Sequence, residues 1–119
     1  MLTPLELDIM KAVWRMAPVT VKDVQAAIRP HRKLAYTTVM TTMHRMFQKG
    51  LLTRRLKARA HLYEPAVAYT AVRDAEVGRL IDNFFAGSRD KLVDFLDGGN
   101  VEQPAETARP RRDLDEELL

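Results

Sequence analysis

Between Tyr36 and Lys49 the chain reads YTTVMTTMHRMFQK, and this is the stretch whose residue types could do chemistry. Val39, Met43, Met46 and Phe47 recur at i, i+4, i+7 and i+8, the spacing of one buried helical stripe. Thr37, Thr38, Thr41, Thr42, Arg45 and Lys49 are then left to line the other faces. Threonine is a poor helix former, so intrinsic propensity gives no reason to gather four of them on an exposed helix. A working surface does. The major groove of B-DNA admits one helix, and its base edges offer acceptors to Arg and methyl groups to Thr. A local alternative stands beside this: Thr37 or Thr38 caps the helix start.

The second chemically suggestive group is cationic. Arg54, Arg55, Lys57 and Arg59 follow the helix and Arg32 and Lys33 precede it, so the two sets could hold the phosphate backbone on either side of a groove. They fix register without reading sequence. The charge distribution along the chain supports the same partner. Residues 1–66 carry twelve Lys and Arg against four acids, a net +8, whereas residues 67–119 carry seven against twelve, a net −5. Between Asp23 and Glu64 nine bases occur and no acid. That surface has a positive field with nothing local to neutralise it, and nucleic acid is its leading partner.

Other chemistries find little support. The chain has no cysteine, which removes disulfides, thiolate zinc sites and a cysteine nucleophile together. His31, His44 and His61 lack metal-ligand spacing, and neither a Ser, His and Asp set nor a glycine-rich phosphate loop is visible. His44 reads as a polar residue of the Tyr36 helix rather than a ligand. The expectation is a protein that is not an enzyme, with no catalytic residues, no metal and no cofactor. Its 119 residues suit one small domain with an appended arm, and 46% hydrophobic with 29% charged residues is an ordinary globular composition. No apolar run is long enough to span a bilayer, and Met1-Leu2-Thr3-Pro4 shows neither a basic leader nor an apolar core. No membrane insertion and a cytoplasmic location are expected.

The elements that must position these residues can be read from caps and periods. Thr3-Pro4-Leu5-Glu6 starts a helix with a capping box and proline at its first position, and the helix runs to about Met16 before Pro18. Trp14 on it either seals the edge of the core or sits at an interface. Thr20 opens a second, short helix that Pro30 closes. The Tyr36 helix is halted by Gly50, where a left-handed cap is expected. Two alternating runs, 51–56 and 61–65, joined by a four-residue basic turn, predict a β-hairpin. Three helices and a hairpin make a winged helix-turn-helix, so the fold class is mainly α with a small β wing, followed by a helical dimerisation arm.

The arm is predicted as a helix from about Val67 to Ala86 and another after Ser88, with a flexible acidic tail over 98–119. Two helices of this length cannot bury Phe84 and Phe85 by themselves, so their apolar faces need a partner, and a second copy is the simplest. The expected layout is 1–66 for DNA binding, 67–97 for dimerisation and 98–119 as tail.

The sequence resembles the BlaI/MecI/CopY penicillinase-repressor family of bacterial winged-helix regulators. The resemblance is carried by LELDIMKAVW (Leu5 to Trp14), AYTTVMTTMHRMFQKG (Ala35 to Gly50) and Tyr63-Glu64-Pro65, which is similar to the Y-x-P ending the wing. It implies a homodimeric transcriptional repressor on pseudo-palindromic operators, often of TACA and TGTA half-sites, controlling antibiotic-resistance or stress genes and its own operon. It places the recognition helix on Tyr36 to Lys49, with Thr37, Thr38, Thr41, Thr42 and Arg45 facing the groove, and the wing on Arg54 to His61, which holds Arg54, Arg55, Lys57 and Arg59. Tyr36 at the helix start is expected at the DNA with them, and Arg32 and Lys33 remain backbone contacts read from their charge. It places dimerisation in the C-terminal helices, where the apolar positions are Val77, Leu80, Ile81, Phe84, Phe85, Leu92, Phe95 and Leu96. It implies release from DNA by a cut in that region, ordered by a membrane sensor-protease. The copper branch of the family uses a cysteine motif, which this chain lacks. The tail departs from the family pattern too: Gly98, Gly99, Pro104 and Pro110 stand where a longer final helix is expected. The rival reading is a winged-helix protein-interaction module without sequence-specific DNA binding.

Overall fold

The structure is a computed structural model and describes residues 1–99. Its elements run α1 (Pro4–Met16), α2 (Val21–Ile28), α3 (Tyr36–Gln48), β1 (Leu52–Lys57), β2 (Ala60–Pro65), α4 (Tyr69–Phe84) and α5 (Arg89–Leu96). They fall into two compact units that divide after Glu76. The expected tail lies outside the described residues from position 100 onward.

Local chemistry sets the helix ends. Thr3 accepts from the Glu6 amide at 3.1 Å while the Glu6 carboxylate accepts from the Thr3 amide at 2.9 Å, satisfying two donors that α1 would otherwise leave open. Thr20 and Asp23 repeat this box at the start of α2, at 3.1 and 3.0 Å. At α3 the cap is Ala35 with no side-chain hydrogen bond, so neither Thr37 nor Thr38 caps the helix. At its other end Gly50 takes φ +84°, the Leu51 amide donates to the Met46 carbonyl at 2.9 Å and the Gly50 amide to that of Phe47 at 3.1 Å. This is the expected left-handed stop.

The hairpin is tighter than its sequence suggests. The register runs from Leu52 opposite Pro65 to Lys57 opposite Ala60, so the connection is the two residues Ala58 and Arg59, not four. Ala58 absorbs the turn with φ +56°. Val19 adds one rung: its amide donates to the Tyr63 carbonyl at 3.0 Å and its carbonyl accepts from the Tyr63 amide at 2.7 Å.

One core holds the first unit together. Ile9, Met10 and Val13 of α1, Val24 and Ile28 of α2, Val39, Met43 and Met46 of α3, and Leu52 and Tyr63 of the hairpin are buried against one another. Each fully buried apolar side chain contributes roughly 1.5–3 kcal/mol, so the stripe inferred for α3 is what anchors that helix. Phe47 packs at the margin. Trp14 resolves to the core edge, donating from Nε1 to the Val67 carbonyl at 2.9 Å and meeting the Tyr69 ring edge-on at 5.3 Å.

In the second unit Ser88 caps α5 by accepting from the Lys91 amide at 3.3 Å. The expectation that neither aromatic could be buried within the arm holds for Phe84 and fails for Phe85. Phe85 is buried, its ring centroid 5.6 Å from that of Phe95, whereas Phe84 is 72% exposed. Among the described residues no helix is long and apolar enough to cross a membrane.

Candidate nucleic-acid interface

Because Val39, Met43 and Met46 anchor α3, the opposite stripe is determined. It holds Thr37, Thr41, His44 and Gln48, at i, i+4, i+7 and i+11, all exposed. Thr38 and Arg45 are exposed on one flank, and Tyr36 and Met40, about 40% exposed, on the other. Thr42 sits apart from this face: it is half-buried, and its hydroxyl donates to the Thr38 carbonyl at 2.8 Å. A threonine engaged in this way has already spent its one hydroxyl donor on its own helix backbone. His44, Met40 and Gln48 belong to the outer surface although residue type alone did not mark them. The i+7 and i+11 spacing from Thr37 is the signal that finds His44 and Gln48.

The hairpin stands beside this face. Tyr36, Thr41 and His44 of α3 share one cleft of about 740 Å³ with Arg54 and Arg59 of the hairpin and Lys22 of α2. Lys57 and Arg59 are exposed at the tip. Arg55 faces Glu64 across the strands at 4.0 Å, a loose and exposed pair worth little energetically. Arg54 points toward α3 instead. Its Nη1 lies 3.0 Å from Nδ1 of His44 and donates to the Tyr63 hydroxyl at 3.3 Å, and its guanidinium stacks 4.1 Å from the Phe47 ring centroid.

Before α3, Lys33 is exposed, while Arg32 donates to the Asp8 carboxylate of α1 at 2.6 Å. With Gln25 donating to the Leu34 carbonyl at 2.9 Å, this pair pins the α2–α3 connection to the helices behind it.

The four acids of the first 66 residues are all engaged. Asp8 is paired with Arg32, Asp23 caps α2, Glu64 faces Arg55, and Glu6 accepts from the Lys49 ammonium at 2.6 Å. Burial alone would raise the Glu6 carboxyl, but hydrogen bonds from Lys49 and from the Thr3 amide, with the Lys49 charge, outweigh it and hold the group below the usual carboxylate value. Among residues 1–66 no acid is therefore left without a partner to oppose Lys33, Arg45, Lys57 and Arg59 on the outer surface. Such a face attracts an anion as extended as a nucleic-acid backbone.

The residues expected to dimerise lie in the second unit. Phe84, Leu96, Phe95, Val77 and Leu80 are exposed, from 72% down to 42%, Ile81 and Leu92 are half-buried, and Phe85 is buried.

Residues 2–107 match the penicillinase repressor family. Two Mycobacterium tuberculosis proteins, from strains CDC 1551 / Oshkosh and ATCC 25618 / H37Rv, each described as transcriptional regulator BlaI, are 36% identical over 100 residues, covering 78% of this chain and 70% of theirs. Among solved structures, the monomeric form of Bacillus licheniformis BlaI in complex with the blaP half-operator superposes with a TM-score of 0.51 at 21% identity, over 59% of this chain and 85% of that one. It shares the winged-helix fold. The chain belongs to the penicillinase repressor family, and is a winged-helix transcriptional regulator, not an enzyme.

Proposed function

We propose that this protein represses transcription in the cytoplasm by seating α3 in the major groove of an operator while the hairpin tip lies along the adjacent backbone. One observation carries the reading: the exposed stripe of α3 and the cationic hairpin tip open onto the same cleft, and each acid of residues 1–66 is already engaged. Thr37, Thr38, Thr41 and Arg45, with Tyr36 at the helix start, supply the groove-facing contacts. Lys33, Arg55, Lys57 and Arg59 supply phosphate contacts, and Arg32 and Arg54 brace the elements that carry them. The B. licheniformis relative bound to a half-operator supports the same use of the fold.

The functional form in this proposal is a homodimer clasped through α4 and α5, which places two recognition helices on a pseudo-palindromic operator of antibiotic-resistance or stress genes and of its own operon. Family membership supports release through a membrane sensor-protease that cuts the C-terminal region.

Titration of fluorescent duplex DNA at graded salt tests the reading. For about four to eight phosphate contacts, affinity should fall on the order of 10²- to 10⁴-fold between 50 and 200 mM salt. Binding that ignores salt, or no duplex bound at all, would replace the repressor reading with that of a protein-interaction module.

A further inference from the structure

His44 occupies the outward stripe of α3 together with Thr37, Thr41 and Gln48, and it is the one residue there whose ring is held by another element. Its Nδ1 lies 3.0 Å from Nη1 of Arg54. A guanidinium carries only N–H donors and keeps its proton in proteins, so Nδ1 must accept. The proton of the neutral imidazole then sits on Nε2. Arg54 is itself well held. Its guanidinium stacks on Phe47 and donates to the hydroxyl of Tyr63, which is buried in the core. The orientation of His44 is thus referred back, through Arg54, to the rigid interior. Nε2 has no hydrogen-bond partner among the described residues.

We infer that His44 is a specificity-determining residue and Arg54 its positioning residue: Nε2–H is a single fixed donor for an acceptor on a base edge, such as guanine O6 or N7, adenine N7 or thymine O4. The inference rests on the DNA-binding reading above and extends it. Two facts favour a base over a phosphate. The stripe opposite the buried side of α3 is the part that enters a groove deepest, whereas phosphates lie to its flanks. Fixing a tautomer also matters for base edges, where donor and acceptor patterns differ from base to base, and hardly matters for a phosphate oxygen, which accepts from any donor.

The test has two arms. In the first, full-length protein selects from a pool of random-sequence duplexes, and the preference at each base position is compared among wild type, His44→Ala, His44→Asn and His44→Gln. Glutamine places an amide N–H near the position of Nε2–H, and asparagine does not. Loss of about five- to tenfold discrimination at one base position in His44→Ala and His44→Asn, restored in large part by His44→Gln, supports the inference. Equal weakening on all duplexes would make His44 a phosphate contact and overturn it.

The second arm begins on the free protein. In the free protein at mildly alkaline pH, the imidazole ¹⁵N signals of His44 should show Nε2 protonated and Nδ1 bare. Arg54→Met, which keeps a side chain over Phe47 but offers Nδ1 no donor, should move both toward a tautomeric average and lower discrimination at the same base position. A wild-type ring already averaged, or unchanged in Arg54→Met, overturns the positioning role whatever the duplexes do. If wild type selects no duplex, the DNA-binding reading falls and takes the base-reading role with it. Selection by wild type with unaltered preferences in His44→Ala sinks this inference alone.

Discussion

The Lys49 ammonium donates to the Glu6 carboxylate at 2.6 Å, tying the residue that ends α3 to the first turn of α1. Glu6 is the buried partner and Lys49 the half-exposed one, so the carboxylate depends on the lysine more than the lysine depends on it. Lys49→Met should leave a buried acceptor short of a donor and destabilise the protein by about 1–3 kcal/mol in thermal or urea unfolding. The pH dependence has a definite sign. A carboxyl held low in the folded state stabilises in full above its unfolded value, and that stability is lost as pH falls through the folded value. Wild type should therefore lose stability on acidification below the ordinary glutamate value of 4.5, and Glu6→Gln should start less stable at neutral pH and lose less over the same range.

In the proposed docking Arg45 reads bases and Arg59 holds the backbone. Arg45→Ala should weaken binding to the selected operator and relax preference at one base position by about 1–3 kcal/mol. Arg59→Ala, at the hairpin tip, should weaken all duplexes alike and shallow the slope of log affinity against log salt by about one. Titrations on cognate and scrambled duplexes at several salt concentrations distinguish the two. Uniform loss from both would mean that α3 does not read bases.

Those assignments show what a single chain exposes and what it hides. The capping box at Thr3, the helix start at Thr20, the stop at Gly50 and the stripe Val39, Met43, Met46 and Phe47 are local patterns, complete within a few residues, and legible in the sequence; of that stripe only Phe47 is left half-buried at the margin. Thr42 is expected on the groove face as one of the positions outside the buried stripe, but it is half-buried on the flank and its hydroxyl bonds its own helix backbone. Arg54 was legible only as a charge. Its contacts with His44 and Tyr63 join residues nine and ten positions apart on different elements, and no local period encodes them. The fate of Phe85 was hidden for the same reason, since Phe95 covers it from the next helix.

The two-residue hairpin turn is not legible in the sequence, because its demanding position carries no signature. Ala58 sits at φ +56°, which costs an L-residue about 1–2 kcal/mol and marks a place where glycine is the usual choice. Ala58→Gly removes that strain and gives back part of it in unfolded-chain entropy, so a net gain of about 0.5–1 kcal/mol is expected in chemical unfolding. Because the substitution changes no charge, the salt slope of DNA binding should stay as it is. A loss of stability would show that the alanine methyl packs usefully in the turn.

Val77, Leu80 and Phe84 lie at i, i+3 and i+7 on α4, all exposed, and therefore form one uncovered apolar stripe. Phe84, 72% exposed in its own chain, has the most to gain from a partner. Phe84→Asp should leave each chain folded, because little is lost where the ring touches little, but a carboxylate in an apolar interface has no compensating partner. If the proposed homodimer forms through this stripe, sedimentation should then report monomers at concentrations where wild type sediments as a dimer. Affinity for a duplex with two half-sites should fall toward that for one half-site, since the second contact is no longer intramolecular, whereas affinity for a single half-site should not change. A Phe84→Asp protein that still sediments as a dimer would move the clasp away from this stripe.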